Sequence, residues 1–262
     1  MMRYLAIYKA ILTININAFF AYRGNFFNSI LSSIVWGLFS IFSIILLTSR
    51  VQSLFGWSRD EIIMLTAMYS VVIGVFHMVF SRNFEYFSRV IDLGQLDSFL
   101  LKPVDSQFFL STRFVNFASI IRIIMGILLM AYLLDRMGVS VSLLQVMLFL
   151  VFMICGIMLM YAIWYIIITL TIWASKLSNI VELLYSLSSI SRYPPEMYKE
   201  ISLYLFLFLL PLVLILATPV KFLFGRIDIG NAIIMVVLTG VLLFLSRKWW
   251  KFALKHYTSA SG

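Results

Sequence analysis

Ser81-Arg-Asn-Phe-Glu-Tyr-Phe-Ser-Arg-Val-Ile-Asp-Leu-Gly-Gln-Leu-Asp-Ser-Phe-Leu-Leu-Lys-Pro-Val-Asp105 is the longest charge-bearing segment between two strongly apolar runs. It carries Arg82, Glu85, Arg89, Asp92, Asp97, Lys102 and Asp105. Phe84, Phe87 and Ile91 recur at helical spacing, as do Leu96, Phe99 and Leu100. Gly94 divides the two patterns and Pro103 stops the second. The segment reads as ordered and amphipathic. Arg82–Asp92 extends the preceding apolar helix, and Leu96–Lys102 forms a short helix with an apolar side to seat against a neighbour.

The flanking runs decide the class. The chain of 262 residues is 63% hydrophobic and 12% charged, with mean hydropathy +1.03, well outside the soluble range. Several runs reach the roughly 17–25 apolar residues that a helix needs to cross hydrocarbon. A barrel would instead show short alternating segments. The expected fold is an all-α polytopic membrane protein. Its net charge of +9 does not point to nucleic acid, because the basic residues sit mainly at the ends of apolar runs.

Residues 3–22 read as an interfacial helix. Arg3, Lys9, Thr13 and Asn17 share one face, and Tyr4, Tyr8, Ile11, Leu12 and Phe19 the other, with Asn15 an imperfection in the apolar side. The expected spans are 26–48, 62–80, 114–134, 143–173 and 229–246, with Arg50–Asp60 a short polar loop. Between the last two, 177–190 is short and contains Glu182, while 201–218 is more apolar but interrupted by Pro211 and ends near Pro219. If both termini share a side, only one of these two segments crosses. Lys and Arg outnumber those opposite when both termini and residues 81–113 are placed in the cytosol, with Arg247-Lys248-Trp249-Trp250-Lys251 an interfacial anchor. That count gives six spans.

Several chemistries lack their residues. There is no Gly-rich phosphate loop with Lys and Ser/Thr and no Gly-x-Ser-x-Gly elbow. His77 and His256 are the only histidines and Cys155 the only cysteine, so no metal site is expected. The aspartates fall in loops rather than spans. Catalysis within the chain is not expected. Arg122, in the third span, is the costliest residue to insert, at about 2.5–3.5 kcal/mol, and Glu182 is its natural counter-charge if 177–190 crosses.

Gly94, Leu96, Asp97, Leu100, Leu101, Lys102, Pro103 and Val104 form a run that resembles one in permease subunits of bacterial ABC type-2 exporters. Arg192-Tyr193-Pro194 with Tyr198, then Pro211 and Pro219, resembles the external Tyr-Pro element and re-entrant hairpin of the same branch; Pro195 and Glu196 depart from it. The resemblance implies that 177–190 is the fifth span and 198–220 an external re-entrant segment. It implies that 81–105 couples to a separate ABC ATPase through Gln95, Leu96, Asp97, Phe99, Leu100, Lys102 and Pro103. The permease would bind no cofactor, ATP and magnesium belonging to the partner ATPase. It would pair with a second related permease or with itself, among the lipids of a bacterial inner membrane, both termini cytoplasmic. The alternative is a membrane-embedded enzyme, channel or scaffold without an ATPase partner.

Overall fold

The computed structural model describes residues 2–21, 23–50, 53–173, 179–226 and 228–257. Among the described residues the regular elements are helices, apart from one small hairpin. Helices α1 (Met2–Ala21) and α2 (Arg23–Leu47) lead to strands β1 (Ser53–Leu54) and β2 (Trp57–Ser58). Phe55 and Gly56, at φ 54° and 81°, form the two-residue turn that pairs Leu54 with Trp57. The expected loop at 50–60 thus contains a hairpin.

Ser58 caps α3 (Arg59–Phe76) reciprocally with Glu61. The helix continues through a π-helical turn, His77–Ser81, into α4 (Arg82–Asp92). This unbroken rod of 34 residues is about 51 Å long, against roughly 30 Å of hydrocarbon. Its far part projects as an arm. The arm is followed by α5 (Asp97–Leu100), α6 (Ser106–Thr112), α7 (Ser119–Arg136), α8 (Leu143–Thr169) and a 3-10 turn, Leu170–Ile172. Then come α9 (Ile180–Ser189), a 3-10 turn Ile190–Arg192, α10 (Pro195–Ile201), α11 (Leu203–Leu223) and α12 (Ile229–His256).

Two packed groups share one core. In the first, α7 lies along α3, so closely that a Cβ on Gly126 would stand 2.8 Å from the Ala67 carbonyl and 2.7 Å from the Val71 side chain. Without hydrophobic drive between helices in lipid, such backbone approach supplies the packing. In the second group, α8 is flanked by α11 and α12. The Thr239 hydroxyl reaches the Cys155 carbonyl at 3.4 Å and the Trp249 indole donates to the Ile166 carbonyl at 3.1 Å. Phe76, Phe84, Trp164 and Tyr165 join the groups; each is essentially inaccessible.

Among the described residues, five helical stretches are long and apolar enough to cross a membrane: Arg3–Ala21, Phe27–Leu47, Arg59–Asp92, Leu143–Ile172 and Ile229–His256. Three boundaries differ from those expected. The helix expected over 114–134 begins at Ser119, and α6 precedes it as a separate element. Within 177–190 the α-helix is α9, ten residues or about 15 Å; Leu177 and Ser178 lie outside the described residues. Pro211 does not interrupt the next apolar run, since α11 passes through both Pro211 and Pro219. Each proline removes one donor from the helix ladder, and close packing against α8 holds the helix together.

Candidate functional site

At one end of the molecule α4 ends in a glycine cap. Gly94 adopts φ 65°, its amide donates to Ile91 and the Gln95 amide to Val90, satisfying carbonyls the helix leaves free. The turn lays α5 back against the arm. Leu96 and Phe99 point into the chain's own core, 0% and 3% exposed, whereas Leu93, Leu100 and Leu101 face outward at 61%, 38% and 86%. Of the apolar residues read from the sequence, Leu96 and Phe99 are therefore internal anchors, while Leu100 joins Leu93 and Leu101 in an exposed apolar tip. Gln95, Lys102 and Pro103 are also exposed, and Asp97 is half-buried.

This tip is braced. Asp105 caps α6 through the Phe108 amide at 2.9 Å and forms an ion pair with Arg247 of α12. Arg247 also donates to Gln107 at 3.1 Å, and Gln107 to the Tyr161 hydroxyl of α8 at 3.3 Å. The Trp250 indole donates to Ser106 at 3.0 Å and its ring packs on Phe87. Burial alone would raise the Asp105 pKa. The Arg247 and Phe108 hydrogen bonds and the Arg247 charge outweigh it and hold the carboxyl below its usual range. The Pro103 carbonyl accepts from Arg3 of α1 at 2.6 Å.

Residues 113–118 are not helical, and two asparagines supply the missing backbone partners. Asn83 of α4 donates to the Phe114 carbonyl and accepts from the Phe114 amide, both at 2.8 Å. Asn15 of α1 donates to the Arg113 carbonyl at 3.0 Å and accepts from the Val115 amide at 3.2 Å. The Asn116 amide donates to the Met78 carbonyl at 2.8 Å, inside the π-helical turn. The apparent imperfection of the α1 apolar side is one of these clamps.

Between α2, α3, α7 and α9 lies a cavity of about 670 Å³. Arg122 lines it from α7 and Glu182 from α9, but no ion pair joins them among the described residues. The Arg122 Nε is buried without a hydrogen-bond partner. Arg192 stands 5.0 Å from the Tyr69 ring, His77 stacks on Tyr185 at 5.0 Å, and the Tyr185 hydroxyl donates to Glu85 at 3.1 Å. The wall combines Trp36, Phe39 and Ile73 with guanidinium groups and hydroxyls. His77, Glu85 and Glu182 add titratable groups to the same wall. Among the described residues no group of three His, Cys, Asp or Glu could hold a metal.

At the opposite end the Trp57 indole donates to Glu196 at 2.7 Å, and Lys221 donates to the same carboxylate at 3.2 Å. Burial would raise the Glu196 pKa, but hydrogen bonds from its own amide and Trp57, with Lys221, hold it low. Arg226 pairs with Glu61 at 2.7 Å and Arg136 with Asp60 at 3.6 Å. Pro194 is buried, Tyr193 half-buried, and the Tyr198 hydroxyl donates to the Ile190 carbonyl at 3.0 Å. Pro211 and Pro219 lie within α11 rather than in this cluster.

The expected site residues thus occupy four places: the braced tip, the cavity, the Trp57–Glu196 end and, for Pro211 and Pro219, the body of α11. The sequence reading missed Asn15, Asn83, the Asp105–Arg247 pair, and Trp57 with Glu196. The usable signal was a polar side chain in an otherwise apolar helical face, as at Asn15 and Asn83. A family model described as ABC-2 family transporter protein matches residues 34–261. No curated protein and no solved structure matches the chain.

Proposed function

The chain belongs to the ABC-2 family of transporter proteins, and from that premise we propose that it is the membrane subunit of an ATP-driven exporter, working beside a second permease and a separate ATPase. The end bearing α4–α6 is cytosolic in this reading, with both termini. The observation that carries the coupling role is the apolar tip Leu93, Leu100 and Leu101, exposed just beyond a rod whose Phe87 packs on Trp250 of α12, and next to α6, which is hydrogen-bonded to α8 and α12. Leu96 and Phe99 seat the tip, while Leu100, Leu101, Gln95, Lys102 and Pro103 meet the ATPase. Closure of an ATPase dimer pushes on such a tip, and a rigid element transmits the displacement to packed helices. The ion pair Arg247–Asp105 gives α12 its share of the movement.

The cavity between α2 and α9 is the substrate path, completed by the second permease. Arg122 faces that path and does not neutralise Glu182. The Glu196–Lys221 contact supports a re-entrant hairpin over 198–220. The chain leaves and returns at one end, and between those points Leu212–Val220 is buried and Ile215 packs against Gly156, midway along α8. Tyr193, Pro194 and Tyr198 then form the turn beneath an external gate. Purification of the tagged full chain from its native membranes tests the reading. A cassette ATPase recovered in stoichiometric amount supports it, and recovery of the chain alone from repeated mild extractions overturns it.

A further inference from the structure

A second cavity, of about 480 Å³, lies between α1, α6 and the non-helical stretch 113–116. Its walls carry Arg82, Lys102 and Arg113 and no carboxylate. None of the three belongs to an ion pair among the described residues. Shared aromatic rings hold them together instead. Arg82 and Arg113 lie 5.1 Å and 5.3 Å from the Phe114 ring. Lys102 and Arg113 lie 4.5 Å and 5.9 Å from the Phe109 ring, and 5.0 Å and 5.4 Å from that of Phe99. Each ring offers its negative face to two cations, which attracts them but leaves the positive charge uncancelled. Apart from Asn15, the α1 side of the same cavity is apolar: Ile11, Ile14, Ala18 and Phe19.

We infer that this cavity binds the phosphate headgroup of an anionic phospholipid, with the acyl chains running along the apolar residues of α1. The charge calls for an anion, and phosphate offers several acceptor oxygens to cations set around it. The apolar wall calls for a lipid rather than a soluble phosphate. The site borders two hydrogen-bonded attachments of α1, the Arg3 bond to Pro103 and the Asn15 clamp on Arg113 and Val115. A bound lipid therefore ties α1 to the tip and to the start of α7. This binding goes beyond the transport reading: Lys102 is shared with the proposed ATPase contact and Arg82 with the first cavity, so it is read on the purified chain, with neither ATPase nor substrate present.

The full chain, purified in detergent, is loaded with phosphatidylglycerol or phosphatidylcholine, and the lipid retained per chain is counted by native mass spectrometry. The wild-type chain is expected to retain phosphatidylglycerol preferentially. Each of Lys102→Gln and Arg82→Gln, both at exposed cations, should reduce that preference by about fivefold. Lys251→Gln, at an exposed cation on α12 outside the cavity, should leave it unchanged. Equal retention of the two lipids, or an unchanged preference in the Lys102→Gln/Arg82→Gln double variant, overturns the assignment. Displacement of phosphatidylglycerol by millimolar inorganic phosphate would assign the cavity to a soluble phosphate and overturn the lipid reading. Chromatographic profiles matching wild type verify that each variant is folded.

Discussion

Asn83 and Phe114 are joined by two hydrogen bonds, the carboxamide donating to the carbonyl and accepting from the amide of a single residue. The side chain takes the place of a neighbouring strand. Asn83 is 1% exposed, so removing it leaves two backbone groups with no water to replace it. Asn83→Ala should lower stability by about 2–6 kcal/mol, on a cost of roughly 1–3 kcal/mol for each of the two groups left unsatisfied. Asn15→Ala should cost less, because Asn15 is only half-buried. Thermal unfolding in detergent, followed by tryptophan fluorescence, gives the order. A larger loss at Asn15 would contradict it.

Leu96 and Leu101 should behave differently although both belong to one motif. Leu96→Asp places a carboxylate in a fully buried position and should reduce the yield of folded chain severely. Leu101→Asp should leave yield and unfolding temperature as in wild type, and cut substrate-stimulated ATP hydrolysis of the assembled transporter at least about tenfold. Equal effects of the two substitutions on yield would remove the distinction between anchor and tip.

The residues explain how far the sequence could be read. Long apolar runs give α2, α3, α8 and α12, because insertion in hydrocarbon depends on summed transfer energy rather than on partners. An amphipathic period shows that a helix has two sides, but not which side its own chain covers. Leu96, Phe99 and Leu100 share one apolar period, yet the chain's own core covers only the first two. Averaging hydropathy over Phe114–Leu134 conceals the unwound start of that segment, since Phe114, Val115 and Phe117 are apolar whatever their backbone does. Arg122 and Glu182 illustrate a third gap. Opposite charge in nearby spans suggests a pair, yet the cavity separates them.

Asp105 gives the arm a pH dependence. Its carboxyl is held below the ordinary value near 3.9, so its stabilising contribution is fully present above that value and is lost as pH falls through the depressed one. The stability difference between wild type and Asp105→Asn should be constant from about pH 7 to 5 and shrink below about pH 4. Arg247→Met should weaken this acid sensitivity. Unfolding midpoints across that range check both, and a difference that grows toward low pH would reverse the sign.

The separation of Arg122 from Glu182 predicts the result of exchanging them. Arg122→Glu combined with Glu182→Arg should transport no better than the worse of the two single variants. Restoration of transport in reconstituted vesicles would establish a pair that the static arrangement does not contain.

Gly126→Val tests the contact between α3 and α7. A side chain there meets the Ala67 carbonyl and Val71 at distances that require a helix to move. Overpacking of this kind costs about 1–3 kcal/mol, occasionally more. Gly24→Ala, where the added carbon meets nothing within 4 Å, is the matched control for detergent stability.

The coupling of this tip to an ATPase is reached most directly by cross-linking in native membranes. Leu101→Cys, in a Cys155→Ala background, is treated with a short thiol-to-amine reagent, beside Ser49→Cys at the opposite end of the molecule. Position 101 should yield a covalent adduct containing a nucleotide-binding ATPase, and position 49 none. No adduct from position 101, or the same adduct from both positions, would contradict the account.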